Sequence, residues 1–156
     1  MAGPNSITLK LSLLLIVIYA CEATENTDFY GTVTVIISNG LAVPPTPTTM
    51  TLHCQSKDDD LGFHTLGFAE SYQFSFKPEF TVFKNTLFFC SFTWPGNPLR
   101  HYLDIYSEKR DLDRCRTCKW KIVNDGGCLY NKVSGLYNIC YPWKSVQEIA
   151  ANSTQI

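Results

Sequence analysis

The strongest pattern in the chain is the stretch Thr86-Leu87-Phe88-Phe89-Cys90-Ser91-Phe92-Thr93-Trp94. Alternate residues of an extended strand point to opposite faces, so Phe88, Cys90, Phe92 and Trp94 share one face. Aromatic residues favour strands over helices. The stretch therefore predicts a β-strand with a large aromatic face directed into a core.

Seven further runs alternate in the same way, and polar or turn-forming segments separate them. They centre on residues 33–37, 50–54, 72–76, 103–105, 118–122, 128–130 and 136–140. About seven or eight short strands with this spacing predict an all-β fold, an antiparallel β-sandwich or a flattened barrel. We expect Leu52 and Trp120 inside it with the aromatic face, because each shares its strand parity with a cysteine. The prolines of residues 43–49 predict a stiff connector, since proline cannot lie in a central strand.

The N-terminus has the pattern of an export signal. Lys10 precedes an apolar run over residues 11–20, and small residues at Cys21 and Ala23 offer a cleavage site. The run is too short to span a bilayer, which takes about 20 residues. We therefore predict a removed signal peptide over residues 1–23, a single domain over 24–143 and a polar tail over 144–156. The mature protein should be secreted and extracellular, without membrane insertion.

The composition narrows the class of protein. Hydrophobic residues make up 45% of the chain and charged residues 17%, which argues against disorder. The net charge of −1 argues against general nucleic-acid binding, because phosphate contacts need an excess of Lys and Arg. This net charge excludes neither a local basic patch nor binding to a specific partner.

Removing the leader leaves six of the seven cysteines, an even number that predicts up to three disulfides in an exported protein. Cys128 and Cys140 flank a hairpin turn at residues 131–135, so they can bond across it. The Cys115-x-x-Cys118 spacing also occurs in zinc and redox sites. We expect each of these two to bond a different strand instead, because residues 115 and 118 of one strand face opposite ways. With Cys54 and Cys90 they would form two bridges between the sheets, whose pairing stays open.

The chain shows no recognisable catalytic motif, and we expect neither a cofactor nor a metal. The three aspartates at 58–60 suggest calcium, but an EF-hand loop starting at Asp58 would need Gly where Phe63 stands and Glu where Ala69 stands. The sequon Asn152-Ser153-Thr154 predicts a glycosylation site.

Loops on a rigid sandwich commonly carry binding, so we take residues 55–64, 95–101 and 107–114 as candidate partner contacts. Within them we single out the charged and polar residues Lys57, Asp58, Asp59, Asp60, Asn97, Arg100, Lys109, Arg110, Asp111 and Arg114.

Four blocks in order resemble the plant self-incompatibility protein family, the stigmatic S-protein homologues. They are residues 52–62 (Leu-His-Cys-Gln-Ser-Lys-Asp-Asp-Asp-Leu-Gly), residues 86–94, residues 110–111 with 115–120, and Gly126-Gly127. The resemblance implies a small secreted plant protein with a disulfide-held β-sandwich and no attributed catalysis. The cysteines it matches are Cys54, Cys90, Cys115 and Cys118, while Cys128 and Cys140 would form an additional bridge.

The best-known members of that family act as extracellular ligands in pollen rejection, through a receptor on the pollen. The resemblance therefore implies a non-enzymatic signalling ligand that binds a cell-surface receptor, and we expect a monomer. The alternative is a secreted defence or hydrolytic protein, in which carboxylates such as Asp59 and Asp111 meet in a cleft.

Overall fold

The computed structural model describes residues 31–43, 46–78, 85–145 and 147–148. The predicted signal peptide and the Asn152 sequon lie outside the described residues. All described residues belong to one compact unit that begins at Gly31.

Eleven strands and the short helix α1 have defined bounds in the described part of the chain. In chain order they are β1 (Val33–Asn39), β2 (Ala42–Val43), β3 (Thr46–Pro47), β4 (Met50–Gln55), β5 (Asp60–Leu66), β6 (Ser71–Phe76), β7 (Leu87–Trp94), β8 (Asn97–Ser107), α1 (Glu108–Asp111), β9 (Thr117–Val123), β10 (Gly126–Asn131) and β11 (Leu136–Pro142). All eight runs predicted from alternation coincide with a strand.

The strands form two main sheets and a small hairpin. The five-stranded sheet has the order β11-β10-β9-β1-β6, and the four-stranded sheet has the order β5-β4-β7-β8. Strands β2 and β3 pair with each other within the proline-rich connector. Neighbouring strands are antiparallel except for β1 and β9, which run parallel with Thr34 opposite Thr117. The predicted disulfide-stabilised β-sandwich class is confirmed.

The core is formed by the inward-facing residues of both sheets. Strands β1, β4 and β9 alternate strictly between buried and more exposed positions, as a sheet with one covered face requires. The five residues predicted to be internal are all buried: Leu52, Phe88, Phe92, Trp94 and Trp120. Trp120 and Phe92 are among the largest side chains without any exposed surface.

Gly127 allows β10 to lie directly against this core. A Cβ atom placed there would lie 2.5 Å from Leu103 Cδ2 and 3.3 Å from both Trp120 Cε3 and Ile122 Cδ1. Any side chain at position 127 would therefore displace the packed residues between the sheets.

The disulfide pattern differs from the prediction in two respects. Cys54 bonds Cys90. These residues lie opposite each other on the neighbouring strands β4 and β7, so the bridge is within one sheet and not between sheets. Cys115 bonds Cys118, and the expectation that each would bond a different strand is wrong. The reason is that β9 begins only at Thr117, so Cys115 lies in the preceding turn and is free to face Cys118. The third bridge joins Cys128 to Cys140 across the β10–β11 hairpin, as its turn suggested.

Strand β5 was not predicted from the sequence. Its alternation is interrupted at Gly62, which has a positive φ of 73°, and Leu66 is its only buried residue. The local sequence pattern therefore predicts a loop here, although most of β5 pairs with β4.

Candidate functional site

The three candidate loops do not lie together. Gln55 at the end of β4 is opposite both Asp60 and Phe89, and Leu87 is opposite Ser107. The turn at residues 56–59 and the segment at 107–114 therefore lie at the same end of the four-stranded sheet. The β7–β8 turn at residues 95–96 lies at the opposite end, because antiparallel strands alternate their connections between the two ends.

The turn at residues 56–59 is held by its own backbone and by one hydroxyl. Ser56 N donates to Asp59 O at 2.8 Å, and Ser56 Oγ accepts the N–H groups of Asp58 at 3.3 Å and Asp59 at 3.0 Å. The side chains of Lys57, Asp58 and Asp59 are exposed. The fold therefore presents these three charges on a turn whose backbone is already ordered.

Asp60, which follows the turn, is tied back to the sheet. Its Oδ1 accepts the Gly62 N–H at 2.9 Å and lies 2.6 Å from His53 Nε2. The pKa of the Asp60 carboxyl is lowered from 3.8, first by the hydrogen bond from Gly62 and then by the bond with His53. His53 also stacks on Phe63 with ring centroids 4.3 Å apart, and Phe63 is 65% exposed. An aromatic ring thus lies exposed beside the charged turn.

The lowered pKa of Asp60 predicts a pH dependence. Ionised Asp60 stabilises the folded state above the unfolded pKa of about 3.9, and this contribution is lost as pH falls through the lower folded pKa. An NMR titration of the Asp60 carboxyl carbon should have its midpoint below 3.8. In His53→Ala the midpoint should rise but stay below that value, because the Gly62 bond is the larger cause. A wild-type midpoint at or above 3.8 would contradict the geometry.

The segment at residues 107–114 is mostly structural. Asp111 is fully buried, and its two carboxylate oxygens accept bonds from Arg110 Nε at 2.8 Å and Arg110 Nη2 at 2.7 Å. The same carboxylate accepts the Ser107 N–H, while Arg110 also donates to Asp104 O and lies over the rings of Trp120 and Tyr141.

The prediction of Asp111 as a partner contact is therefore wrong, because its side chain has no exposed surface and is saturated by internal bonds. Asp111 also cannot be the accessible carboxylate that the hydrolytic alternative placed in a cleft with Asp59. Arg110 is committed to Asp111 and retains 19% side-chain exposure. Lys109 and Arg114 are exposed, and Arg114 Nη1 donates to Tyr141 Oη at 2.7 Å.

Two further side chains in and next to this segment, those of Glu108 and Tyr106, are buried. Glu108 Oε2 accepts the Thr86 N–H at 2.8 Å, which ties α1 to the start of β7. Desolvation raises the pKa of Tyr106 to about 12, with Glu108 and Asp111 adding to the effect. We call Glu108, Arg110 and Asp111 the clamp, because their bonds hold α1 against the end of the buried core.

The opposite end of the four-stranded sheet is built from stacked aromatic rings. His101 stacks on Trp94 at 4.6 Å between ring centroids and lies 4.9 Å from the ring of Trp143. Burial lowers the pKa of His101. Asn97 Nδ2 lies 2.9 Å from His101 Nε2, and Arg100 Nη1 donates to Ser91 Oγ at 3.1 Å. The predicted contacts Asn97 and Arg100 are thus separate from the charged turn and bonded to their neighbours.

No group of three or more His, Cys, Asp or Glu side chains in the described residues is arranged to hold a metal ion. No helix in the described ranges is long and apolar enough to cross a membrane.

Several exposed residues were missed by the sequence prediction. Phe63 was counted among the residues of a loop, although its 65% exposure on a strand makes it the most conspicuous ring near the charged turn. Lys119 and Lys121 are not among the predicted contacts, although their alternation with buried Trp120 places both on the outer face of the five-stranded sheet.

Comparison with known proteins assigns the chain to a family. The profile of "Plant self-incompatibility protein S1" matches residues 34–143, most of the chain. The chain is 44% identical over 115 residues to "S-protein homolog 2" of Arabidopsis thaliana, covering 70% of this chain and 67% of the relative. It is 32% identical over 139 residues to "S-protein homolog 29" of the same plant, covering 89% and 98%. The chain therefore belongs to the plant self-incompatibility protein S1 family, which confirms the resemblance.

One solved structure also matches. It represents "SPH (Self-Incompatibility Protein Homologue) proteins, a widespread family of small, highly stable, secreted proteins from plants". The match has a TM-score of 0.46 and 17% sequence identity, and it covers 73% of this chain and 96% of the other.

Proposed function

We propose that the protein is a secreted extracellular ligand that binds a cell-surface receptor, in pollen rejection or a related form of cell–cell communication. Membership of the plant self-incompatibility family supports this role, and the export signal predicted over residues 1–23 supports the compartment. The receptor-binding surface that we propose is the turn surface, defined as Lys57, Asp58, Asp59 and Phe63.

The observation that carries the proposal is the exposed ring of Phe63 beside an ordered charged turn. Aromatic side chains are enriched at protein–protein interfaces and supply most of the affinity when they fill a partner's pocket. Charged residues around such an anchor steer the encounter and select the partner. The turn surface has both an aromatic anchor and surrounding charges. The ring of Phe63 stacks on that of His53.

Preordering of this surface favours tight binding. The Ser56 bonds fix the turn, and the Cys54–Cys90 disulfide ties β4, the strand that leads into the turn, to its neighbour β7. A loop that is already ordered loses less conformational entropy on binding than a mobile one. The rigid sandwich therefore acts as the support for a recognition turn.

The proposal is tested with fluorescently labelled mature protein on protoplasts of the source plant. We expect saturable binding that disappears when surface proteins are removed with trypsin. Phe63→Ala should weaken binding at least about tenfold, as loss of an aromatic anchor does. The fold should tolerate this change because the ring is 65% exposed.

Leu99→Ala is the matched control. Leu99 is 63% exposed on the same sheet but lies at the opposite end, next to the β7–β8 turn. It should bind like the wild type. Binding that does not saturate, that survives trypsin, or that falls equally in both variants would refute a receptor site at the turn surface.

A further inference from the structure

The outer face of the five-stranded sheet has an unusual charge pattern. None of the strands β1, β6, β9, β10 and β11 contains an aspartate or glutamate, although the whole chain carries a net charge of −1. The outward positions of β9 carry Lys119 and Lys121, both exposed. The described strands of this sheet therefore form a positively charged face within a nearly neutral protein.

Aromatic rings lie next to these lysines. Tyr130 and Tyr137 are opposite each other on β10 and β11, with ring centroids 5.3 Å apart in an edge-to-face arrangement. Lys119 Nζ lies 5.6 Å from the centroid of Tyr130, and Lys121 Nζ lies 5.9 Å from that of Tyr137. Each lysine is thus held by an attraction between its cation and a ring.

Gly40 helps to hold Lys121 along the sheet. A Cβ atom at position 40 would lie 2.8 Å from Lys121 Cγ and 3.0 Å from Lys121 Cε. The glycine leaves room for the aliphatic stem of the lysine to lie against the backbone. The ammonium group is therefore placed before any ligand arrives, which lowers the entropy lost on binding.

The outward positions of β1 and β6 carry mostly small polar side chains, with Ile36 between them opposite Lys119 and Gln73. Thr34 Oγ1 lies 2.9 Å from Ser75 Oγ, and Ser38 Oγ lies 2.8 Å from Ser71 Oγ. Gln73 is exposed between these pairs on β6. The short side chains leave a shallow surface five strands across, about 19 Å at a spacing of about 4.8 Å per strand.

We propose that this face binds a linear anionic polysaccharide, a chain of uronic acid units. The centre of the binding face is formed by Lys119, Lys121, Tyr130 and Tyr137. The lysines match the carboxylates of such a chain, and the tyrosine rings offer negative π-faces to the C–H groups of the sugars. The surrounding hydroxyl and amide groups have the donors and acceptors that sugar hydroxyls need.

The composition distinguishes this face from a protein-binding surface. Lysine is depleted in the buried centres of protein–protein interfaces, where desolvating a compact and strongly hydrated ammonium is costly. A polysaccharide leaves one side of its chain in water, so the lysines keep part of their hydration. The proposal does not depend on the receptor proposed above, because the two surfaces lie on different sheets.

The test uses the purified mature protein and an oligogalacturonate long enough to cross the five strands, followed by isothermal titration calorimetry. We expect binding that weakens as salt is raised, since exposed charges are screened. A neutral cello-oligosaccharide of equal length should not bind. The double variant Lys119→Gln/Lys121→Gln should lose at least about tenfold in affinity, with an unchanged melting temperature.

Two controls make the result specific. Arg100→Gln removes one positive charge from β8 of the other sheet and should bind like the wild type. Tyr137→Ser, at an edge position that is 37% exposed, should weaken oligogalacturonate binding while the protein stays folded. Failure of the folded wild type to bind the oligogalacturonate would overturn the proposal. So would an equal loss in Arg100→Gln, or equal binding of a polyglutamate peptide of matched charge, since either would show attraction to charge alone.

Discussion

Phe92→Ala should lower the free energy of unfolding by about 3–5 kcal/mol, a large share of the about 5–15 kcal/mol that stabilises a typical domain. Phe92 has no exposed surface and lies opposite Leu52 on the neighbouring strand β4. Its ring also contacts Trp143, at 5.6 Å between ring centroids. Removing the ring therefore leaves a cavity in a packed core and also takes away an aromatic contact.

The measurement for Phe92→Ala is urea unfolding of the mature protein with its disulfides intact. The midpoint should fall sharply while the slope stays close to that of the wild type. The control is Asp59→Ala in the exposed turn, which should change stability by less than about 0.5 kcal/mol. A harmless Phe92→Ala combined with a destabilising Asp59→Ala would contradict the inward direction of the Phe88–Trp94 aromatic face.

Asp111→Ala should cost about 3 kcal/mol of stability, because it leaves the Arg110 guanidinium without its carboxylate in a mostly buried place. The value lies at the low end for broken buried pairs, since Arg110 keeps 19% side-chain exposure and can be partly rehydrated. The substitution also removes the acceptor of the Ser107 N–H at 2.9 Å. The clamp around α1 would loosen on both counts.

The measurement is thermal unfolding of Asp111→Ala, with Asp113→Ala as the control. Asp113 is two residues further along and exposed, so its loss should change the melting temperature little. If both aspartates cost the same, the assignment of the Arg110–Asp111 pair to the structural clamp would be wrong.

Local alternation was sufficient to predict the strands that face the core. Strands β1, β4 and β9 have one buried side, and burial on one side is what makes a sequence alternate. In β6 and β11 the side that packs against the core is only partly buried, yet the sequence still alternates. Strand β5 was not predicted because Gly62 at positive φ interrupts its alternation and only Leu66 is buried. The short β2–β3 pair could not be predicted from the sequence either, because two-residue strands leave no periodic pattern.

Pairing between distant segments was harder to predict from the sequence than the strands themselves. The opposition of Cys54 and Cys90 depends on which strands are neighbours, and alternation alone does not determine that. The Cys115–Cys118 bond depended on where β9 begins, and boundaries of elements are weakly encoded. For the site, the run of charges correctly predicted that Lys57, Asp58 and Asp59 are exposed on a turn. The burial of Asp111 was invisible because its sequence neighbours Arg110 and Asp113 look like an ordinary solvated loop.

The parallel pairing of β1 with β9 has a consequence for how the protein is made. Strand β1 lies between β6 and β9 in the sheet, and Thr34 near its start is opposite Thr117. During synthesis, β1 leaves the ribosome long before its partner β9 exists. Until then the apolar side of Val33, Val35 and Ile37 has no complete sheet to enter. Such long-range pairing makes folding slow and leaves an aggregation-prone strand exposed to other chains. The first strand of the fold is therefore completed as part of its sheet only after β9 has been made, and aggregation through β1 competes with correct pairing until then.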